Sequence, residues 1–329
     1  MIRKSLASIL TRNNFYSIRF SSTLSNNDAL RHRARLFDEE KSRQLKEIER
    51  IEKIQVTVEN LDSQNVKLIM NKGLSTPYNC AMHLSETLCK RSALALVNDS
   101  TLWDMHQPLD TSCNLKFLHF KDENPFHLNN AYWRSCSFLL GYILETAFKN
   151  EFVVDLCSFP PPDIKSGSFV YDAKLNIPDW KPSKEELRCL SILASKLISQ
   201  NLKFEKLKIS VDLAQEMFKN NKFKLEQIPQ ILSNQIAKSE QDKLISVYKL
   251  GEFVDISKGP MISSTDMIGR FEITNIFDIE TENYGLIQRI QGVSIPSQLQ
   301  LHYWTFNLLV ERASKLNPGP KPRLARATN

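Results

Sequence analysis

The chain has 329 residues, with 43 lysines and arginines against 37 aspartates and glutamates, and 42% of its residues are hydrophobic. This length suggests about two domains, and the apolar content is ordinary for a globular protein with a buried core. No apolar run approaches the roughly 20 residues of a membrane helix, so we expect no membrane protein. The six cysteines form no CxxC pair, which argues against a zinc ribbon or a disulfide scaffold.

The first 24 residues have the composition of a mitochondrial transit peptide. They carry basic residues, serines and apolar residues at helical spacing, but no acidic residue. We therefore predict a transit peptide over 1–24 and a location in the mitochondrial matrix, with a disordered basic tail as the alternative. Its removal lowers the formal net charge from +6 to +2, because the segment holds four cations. Any nucleic-acid contact must then rely on local patches.

Charged residues at helical spacing follow, and we predict a helical arm over 25–54. Two roles are open for it: a solvated helix on the edge of the next domain, or an arm that docks on a partner protein or an RNA groove. From about residue 55 the pattern alternates as in a strand. Strands are predicted at 56–58, 66–70, 93–97, 102–103 and 115–118, with a helix opening at Thr76. This order predicts a β-grasp domain over 55–124.

Residues 125–296 predict a larger α+β domain. Its helices are predicted from 128 and over 184–202, 211–218 and 225–236. Its strands are predicted at 169–171, 245–248, 270–273 and 286–290. A helix over 297–316 and an extended basic tail over 317–329, rich in proline, complete an α+β chain.

Several short segments, in order, resemble the N-terminal region of threonyl-tRNA synthetases. Residues 76–78 (Thr-Pro-Tyr) and 102–104 (Leu-Trp-Asp) are similar to the TGS domain. Residues 132–138 (Tyr-Trp-Arg-Ser-Cys-Ser-Phe) resemble the Tyr-Trp-His-x-x-x-His pattern of the second, editing-type domain. Residues 254–261 resemble its Asp-Leu-Cys-x-Gly-Pro-His segment. The resemblance covers 55–316 and implies a TGS-like domain followed by an editing-like domain.

In that family the two histidines, the cysteine and the final histidine form a polar cluster in a cleft associated with hydrolysis of mischarged tRNA. The matching positions here are Arg134, Phe138, Ser257 and Met261, and all four depart from the pattern. Arginine is no metal ligand, phenylalanine has no lone pair, and serine and methionine are poor substitutes. The resemblance therefore implies a degenerate site with no catalytic residue, metal or cofactor, in which Phe138 and Met261 fill the cleft. Aminoacylation is not expected either, since only the basic tail follows Leu316.

The resemblance extends to mitochondrial large-subunit ribosomal proteins built on this scaffold. It implies a structural, non-enzymatic role in mitochondrial translation, with large-subunit rRNA and neighbouring mitochondrial ribosomal proteins as partners, and no membrane or small-molecule substrate. The alternatives are a free tRNA-binding module and a trans-editing hydrolase. Candidate RNA contacts lie in the arm and the tail, both expected outside the packed domains: Arg31, Arg33, Arg35, Lys321, Arg323 and Arg326.

Overall fold

The computed structural model describes residues 25–59, 65–177, 180–233 and 243–322. The predicted transit peptide lies outside these residues. The fold is mixed α+β, as the sequence predicts, with three sheets among the described residues. None of the described helices is long and apolar enough to cross a membrane.

The first region is a five-stranded mixed sheet with two short helices packed on it. Its elements are strands β1 (Lys53–Val58) and β2 (Val66–Asn71), helices α2 (Pro77–Leu84) and α3 (Glu86–Arg91), and strands β3 (Leu94–Val97), β4 (Thr101–Trp103) and β5 (Cys113–Leu118). The sheet order is β2-β1-β5-β3-β4, with β1 parallel to β5 and the other neighbours antiparallel. Helix α2 begins at the predicted place, because Thr76 and Asn79 form a reciprocal capping box and proline occupies the first turn.

The second region contains two antiparallel sheets and one long buried helix. Its helices are α4 (Phe126–Ala147), α5 (Lys184–Ile198), α6 (Val211–Met217), α7 (Lys222–Ser233) and α8 (Tyr303–Ala313). Its strands are β6 (Asp155–Ser158), β7 (Phe169–Lys174), β8 (Phe204–Ile209), β9 (Ile245–Leu250), β10 (Phe253–Ile256), β11 (Ile268–Thr281) and β12 (Gly285–Pro296). The sheet orders are β10-β9-β8 and β11-β12-β7-β6.

Helix α4 lies at the centre of the largest hydrophobic core. Every residue from Ser135 to Glu145 is buried, so this helix is enclosed on all sides over three turns. The predicted helix over 297–316 is shorter in the structure, at Tyr303–Ala313. Its start is delayed because residues 296–299 form a turn and the ring of His302 caps the helix by accepting from the Trp304 amide.

The arm helix α1 spans Asn26–Lys46 and packs against the second region. Ser25 caps it by accepting a hydrogen bond from the Asp28 amide. Its inner face buries Leu30 against the core around α4 and Phe37 among side chains of β8, β9 and β10. The expectation that the arm lies outside the packed domains is therefore wrong.

The start of the tail is also packed, again contrary to the expectation. The buried guanidinium of Arg289 makes two 2.8 Å hydrogen bonds to the carboxylate of Asp172. Its remaining donors reach the backbone carbonyls of Asn317, Gly319 and Pro320. A buried guanidinium needs acceptors for all five of its N–H groups, and the tail backbone supplies three of them.

Candidate functional site

The structure brings the degenerate positions together where α4 meets the loop that follows β10. The Arg134 side chain on α4 donates a 3.0 Å hydrogen bond to the carbonyl of Pro260. One residue further along, the Ser135 hydroxyl accepts from the Ile262 amide at 3.0 Å and contacts the Met261 sulfur at 3.5 Å. The loop is thus bound to one face of the buried helix through both backbone and side-chain contacts.

Phe138 occupies the next turn of α4 and is fully buried. Its ring makes edge contacts with Phe253, Phe204 and Tyr248, at centroid distances of 4.9, 6.0 and 6.4 Å. Met261 is also fully buried. Aromatic rings and a thioether fill this place and offer no strong ligand to a hard or borderline metal ion. Across the described residues, no group of three or more His, Cys, Asp or Glu side chains is placed to hold a metal ion.

Ser257 stabilises the conformation of the loop that follows β10. Its buried hydroxyl accepts from the Gly259 amide at 3.3 Å. Gly259 itself has a φ of +70°, and a Cβ built there would lie 1.8 Å from the Tyr248 hydroxyl oxygen. Only glycine fits, because both the backbone conformation and the close approach of the tyrosine exclude a side chain. The loop therefore lies directly on the Tyr248 ring and hydroxyl.

Asp104, just after β4, joins this loop to the first region. The carboxylate is buried and accepts from the Tyr248 hydroxyl at 2.9 and 3.0 Å and from the Met261 amide at 2.8 Å. The ammonium of Lys206 lies 3.4 Å away. Burial, reinforced by the Asp104 charge, raises the pKa of Tyr248 well above its usual value, so the phenol remains a neutral donor. Sequence reasoning placed Asp104 in a resembling segment but did not find this role.

The Arg134 guanidinium offers hydrogen-bond donors and no acceptor to the loop that Asp104 also contacts. Burial lowers the pKa of its guanidinium, while the neighbouring Tyr248 and Asp104 oppose that shift. A guanidinium has so high an intrinsic pKa that it stays protonated and cannot act as a general base at neutral pH. The arrangement fastens the loop to α4, and its one carboxylate, that of Asp104, already accepts from Tyr248 and from the Met261 amide.

A second buried polar cluster lies behind α4. The ammonium of Lys224 pairs with Asp255 at 2.7 Å and donates to the Tyr171 oxygen at 3.0 Å. The Tyr171 hydroxyl in turn donates to Asp255 at 2.6 Å. All three side chains are fully buried or nearly so, and each charge has a partner. Sequence reasoning missed this cluster because its members lie on β7, α7 and β10 and share no local spacing.

The candidate RNA contacts divide into exposed, buried and undescribed residues. Arg31 and Arg35 are exposed on α1, where Arg35 pairs with Glu39 at 2.8 Å. Lys321 is exposed, and its ammonium donates to the Glu280 carbonyl at 2.8 Å. The last two candidates, Arg323 and Arg326, lie outside the described residues.

Arg33 faces inward, and its guanidinium forms a buried ion pair with Glu145 of α4. Helical spacing turns it toward the core together with Leu30 and Phe37, three and four residues away. A guanidinium in this place cannot reach RNA, so its assignment as an RNA contact is corrected.

Comparison with known proteins identifies two kinds of relative. The chain is 46% identical over 295 residues to the large ribosomal subunit protein mL39 of Drosophila melanogaster, covering 89% of this chain and 86% of that protein. It is 29% identical over 283 residues to the probable cytoplasmic threonine–tRNA ligase 1 of Dictyostelium discoideum, covering 85% of this chain and 37% of the ligase. With the human cytoplasmic threonine–tRNA ligase 2 it shares 31% identity over 252 residues, covering 76% of this chain and 29% of the ligase.

The chain thus spans about a third of the length of the ligases that it matches. No protein-family model matches it. The match to the ribosomal protein is stronger and runs along most of both chains, whereas the ligases match at lower identity over part of their length. The chain therefore belongs to the family of the large ribosomal subunit protein mL39.

Proposed function

We propose that this chain is a structural component of the mitochondrial large ribosomal subunit and supports mitochondrial translation by contacting rRNA and neighbouring ribosomal proteins. The observation that carries the proposal is the similarity to a protein named as a large-subunit ribosomal protein. The two chains are 46% identical, and the match covers 86% of that protein. The chain acts as a structural protein and not as an enzyme, because its similarity to the ligases is more distant and covers a minor part of their length.

The scaffold is proposed to be a TGS-like β-grasp domain over 55–124 and an editing-like α+β domain over 125–296. The five-stranded sheet with helices packed on it supports the first assignment, and the long buried helix between two antiparallel sheets is compatible with the second. Similarity to the threonine–tRNA ligases over most of this chain supports both. The helical arm and the C-terminal helix then flank these domains.

The editing-type cleft is proposed to be inactive. Arg134, Phe138, Ser257 and Met261 stand at the matching positions, and the structure uses them to pack and fasten one loop against α4. A cleft filled by aromatic rings has no place for the hydrolytic water that editing requires. The packing thus favours a structural role over the trans-editing alternative.

Contact with rRNA is proposed through Arg31 and Arg35 of the arm and through Lys321, Arg323 and Arg326 of the tail. The exposure of the first three supports this assignment, since an accessible cation can neutralise a phosphate. The mitochondrial matrix is the proposed location, and residues 1–24 the proposed transit peptide. Both follow from the basic N-terminus and from the family to which the chain belongs.

Sedimentation of a mitochondrial lysate tests the proposal directly. We expect the chain to migrate with the large subunit through a gradient at moderate salt and to remain there at high salt. A second large-subunit protein serves as the internal marker. Migration as a small free species in both conditions would refute the ribosomal assignment, and a deacylation assay on mischarged tRNA would then test the hydrolytic alternative.

A further inference from the structure

A cleft lies beside the end of α3, away from the degenerate site and from the arm. Its volume is about 480 Å³, and its lining residues are Thr87, Lys90, Arg91, His119, Lys121 and Gln298. They come from α3, from the segment after β5 and from the segment after β12. The cleft is thus built where the first region meets the second.

The lining offers donors and no carboxylate. The Nε atom of Arg91 is buried and has no hydrogen-bond partner among the described residues. Lys121 is exposed, and its ammonium has no acceptor among the residues that the structure describes. Lys90 is already paired with Glu86 at 2.6 Å, on the solvent side of α3. Because cations and no carboxylate line the cleft, it is suited to an anion that would accept from the Arg91 guanidinium and the Lys121 ammonium.

The backbone that carries Arg91 and Lys121 is also held in place before any ligand arrives. Gln298 donates a 2.9 Å hydrogen bond to the Arg91 carbonyl, which fastens the end of α3 to the second region. Asp122 accepts from the His119 amide at 2.8 Å and closes the turn that carries Lys121. The Nδ1 atom of His119 accepts from the Lys121 amide at 3.2 Å. Such preorganisation reduces the ordering cost of binding.

A second cavity of about 370 Å³ shares Arg91 and His119 with the first and adds Lys116 to its wall. Two carboxylates also line it: Glu59 lies 3.8 Å from the Lys116 ammonium, and Asp122 accepts from the His119 amide at 2.8 Å. The two cavities are neighbours and have Arg91 and His119 in common. The first cavity, which Arg91 and Lys121 line and no carboxylate lines, is therefore the one suited to phosphate groups.

We propose that the first cavity binds the phosphate backbone of RNA, with Arg91 and Lys121 as the principal contacts. The identification of that RNA as large-subunit rRNA rests on the proposed function. Arginine matches phosphate oxygens with a planar fork, and lysine adds a point charge. The surface is separate from the arm and the tail, and gives the chain a third point of contact with RNA.

The test measures binding of the full chain to deproteinised mitochondrial large-subunit rRNA over a range of salt concentrations. The Arg91→Gln and Lys121→Gln double variant removes two cations and keeps polar side chains of similar shape. Its affinity should fall roughly tenfold or more. The slope of log affinity against log salt should become shallower by about 1.5, since each phosphate contact contributes about 0.7 to 0.9.

The matched control removes the same charge elsewhere. Lys67→Gln and Lys196→Gln alter two exposed lysines that line neither cavity, and this variant should bind as the wild type does. Lys121→Gln alone changes an exposed side chain without disturbing α3, and should give about half of the slope change. An equal loss in the control, or an unchanged slope in both Lys121 variants, would overturn the proposal.

Gradient sedimentation of the same variants separates this proposal from the ribosomal assignment. If the wild type is absent from the large subunit while the double variant selectively loses RNA affinity, the ribosomal assignment fails and the phosphate site stands. If the double variant leaves the subunit but binds naked rRNA normally, the cleft holds a protein partner and the RNA proposal is overturned.

Discussion

Replacing Arg33 with methionine should destabilise the protein more than any comparable change on the arm. The guanidinium lies at the interface of α1 and α4, where it forms a buried ion pair with Glu145 and lies 5.9 Å from the centre of the Phe218 ring. Methionine keeps the unbranched apolar stem and removes only the charge. The measured effect then reports the ion pair and not a loss of packing.

The expected cost follows from the burial of both partners, whose side chains are 7% and 5% exposed. Removing one member of such a pair leaves the other charge buried without compensation, which costs about 3–5 kcal/mol. Replacing Glu145 with methionine as well should return the stability close to that of the wild type. Arg31→Met, two residues away on the exposed face, should change the stability by about 0.5 kcal/mol or less.

The loss of unfolding free energy caused by Arg33→Met should depend on pH. Burial raises the pKa of Glu145 above its ordinary value of 4.5, and Arg33 opposes that rise. When folding raises the pKa of a carboxyl, the folded state holds the proton more tightly than the unfolded state. The stability that this provides is fully present below the pKa of the unfolded state and is lost as the pH rises through the pKa of the folded state. Without Arg33 the pKa rises further. The variant should therefore be close to the wild type below about pH 4.5 and show its full defect at neutral pH.

Urea unfolding of the full chain at pH 7 and at a pH below about 4.5 provides the measurement, and hydrogen exchange of α1 locates the defect. The reasoning is refuted if Arg33→Met costs no more than Arg31→Met at pH 7. It is equally refuted if the Arg33 variant keeps its stability but loses affinity for rRNA, since that outcome would place the guanidinium on the outside.

Three further changes test the packing around the degenerate site. Phe138→Ala should cost about 3–5 kcal/mol in urea unfolding, because it opens a cavity among three aromatic rings; a cost near zero would contradict the filled cleft. Gly259→Ala should cost about 3 kcal/mol in thermal unfolding, since the added methyl group meets the Tyr248 hydroxyl at positive φ. Asp104→Ala should speed proteolysis between the two regions and cost about 3 kcal/mol, with proteolysis at the wild-type rate as the contrary result.

The chemistry of the degenerate site could be judged from the sequence, because it depends on residue type. No packing can make a metal ligand of Phe138 or a general base of Arg134 at neutral pH. Strand β1 and the start of helix α2 were also predictable, since the alternation of the strand and the Thr76 capping box of the helix are local signals. These predictions needed no knowledge of which distant segments meet.

Three strands of the second region were not predicted, and their burial shows why. All four residues of β10 are buried, β6 has only four residues, and β8 does not alternate regularly. A strand covered on both faces, or one too short for a period, carries no alternation to recognise. The assignment of β6 and β8 as strands depends on hydrogen bonds to the later strands β7 and β9, whereas β10 pairs with β9 across a tight turn.

The sequence alone determined that this chain is α+β, which residues stand at the proposed editing-type positions, and that arm and tail are rich in cations. Only the tertiary structure decided which cations face solvent. The Arg33 side chain is buried because it pairs with Glu145, which is 112 residues away in the chain. Arg289 binds the start of the tail, and its own charge is compensated by Asp172. Charge is a property of the residue, whereas its burial depends on a partner that only the folded chain brings into reach.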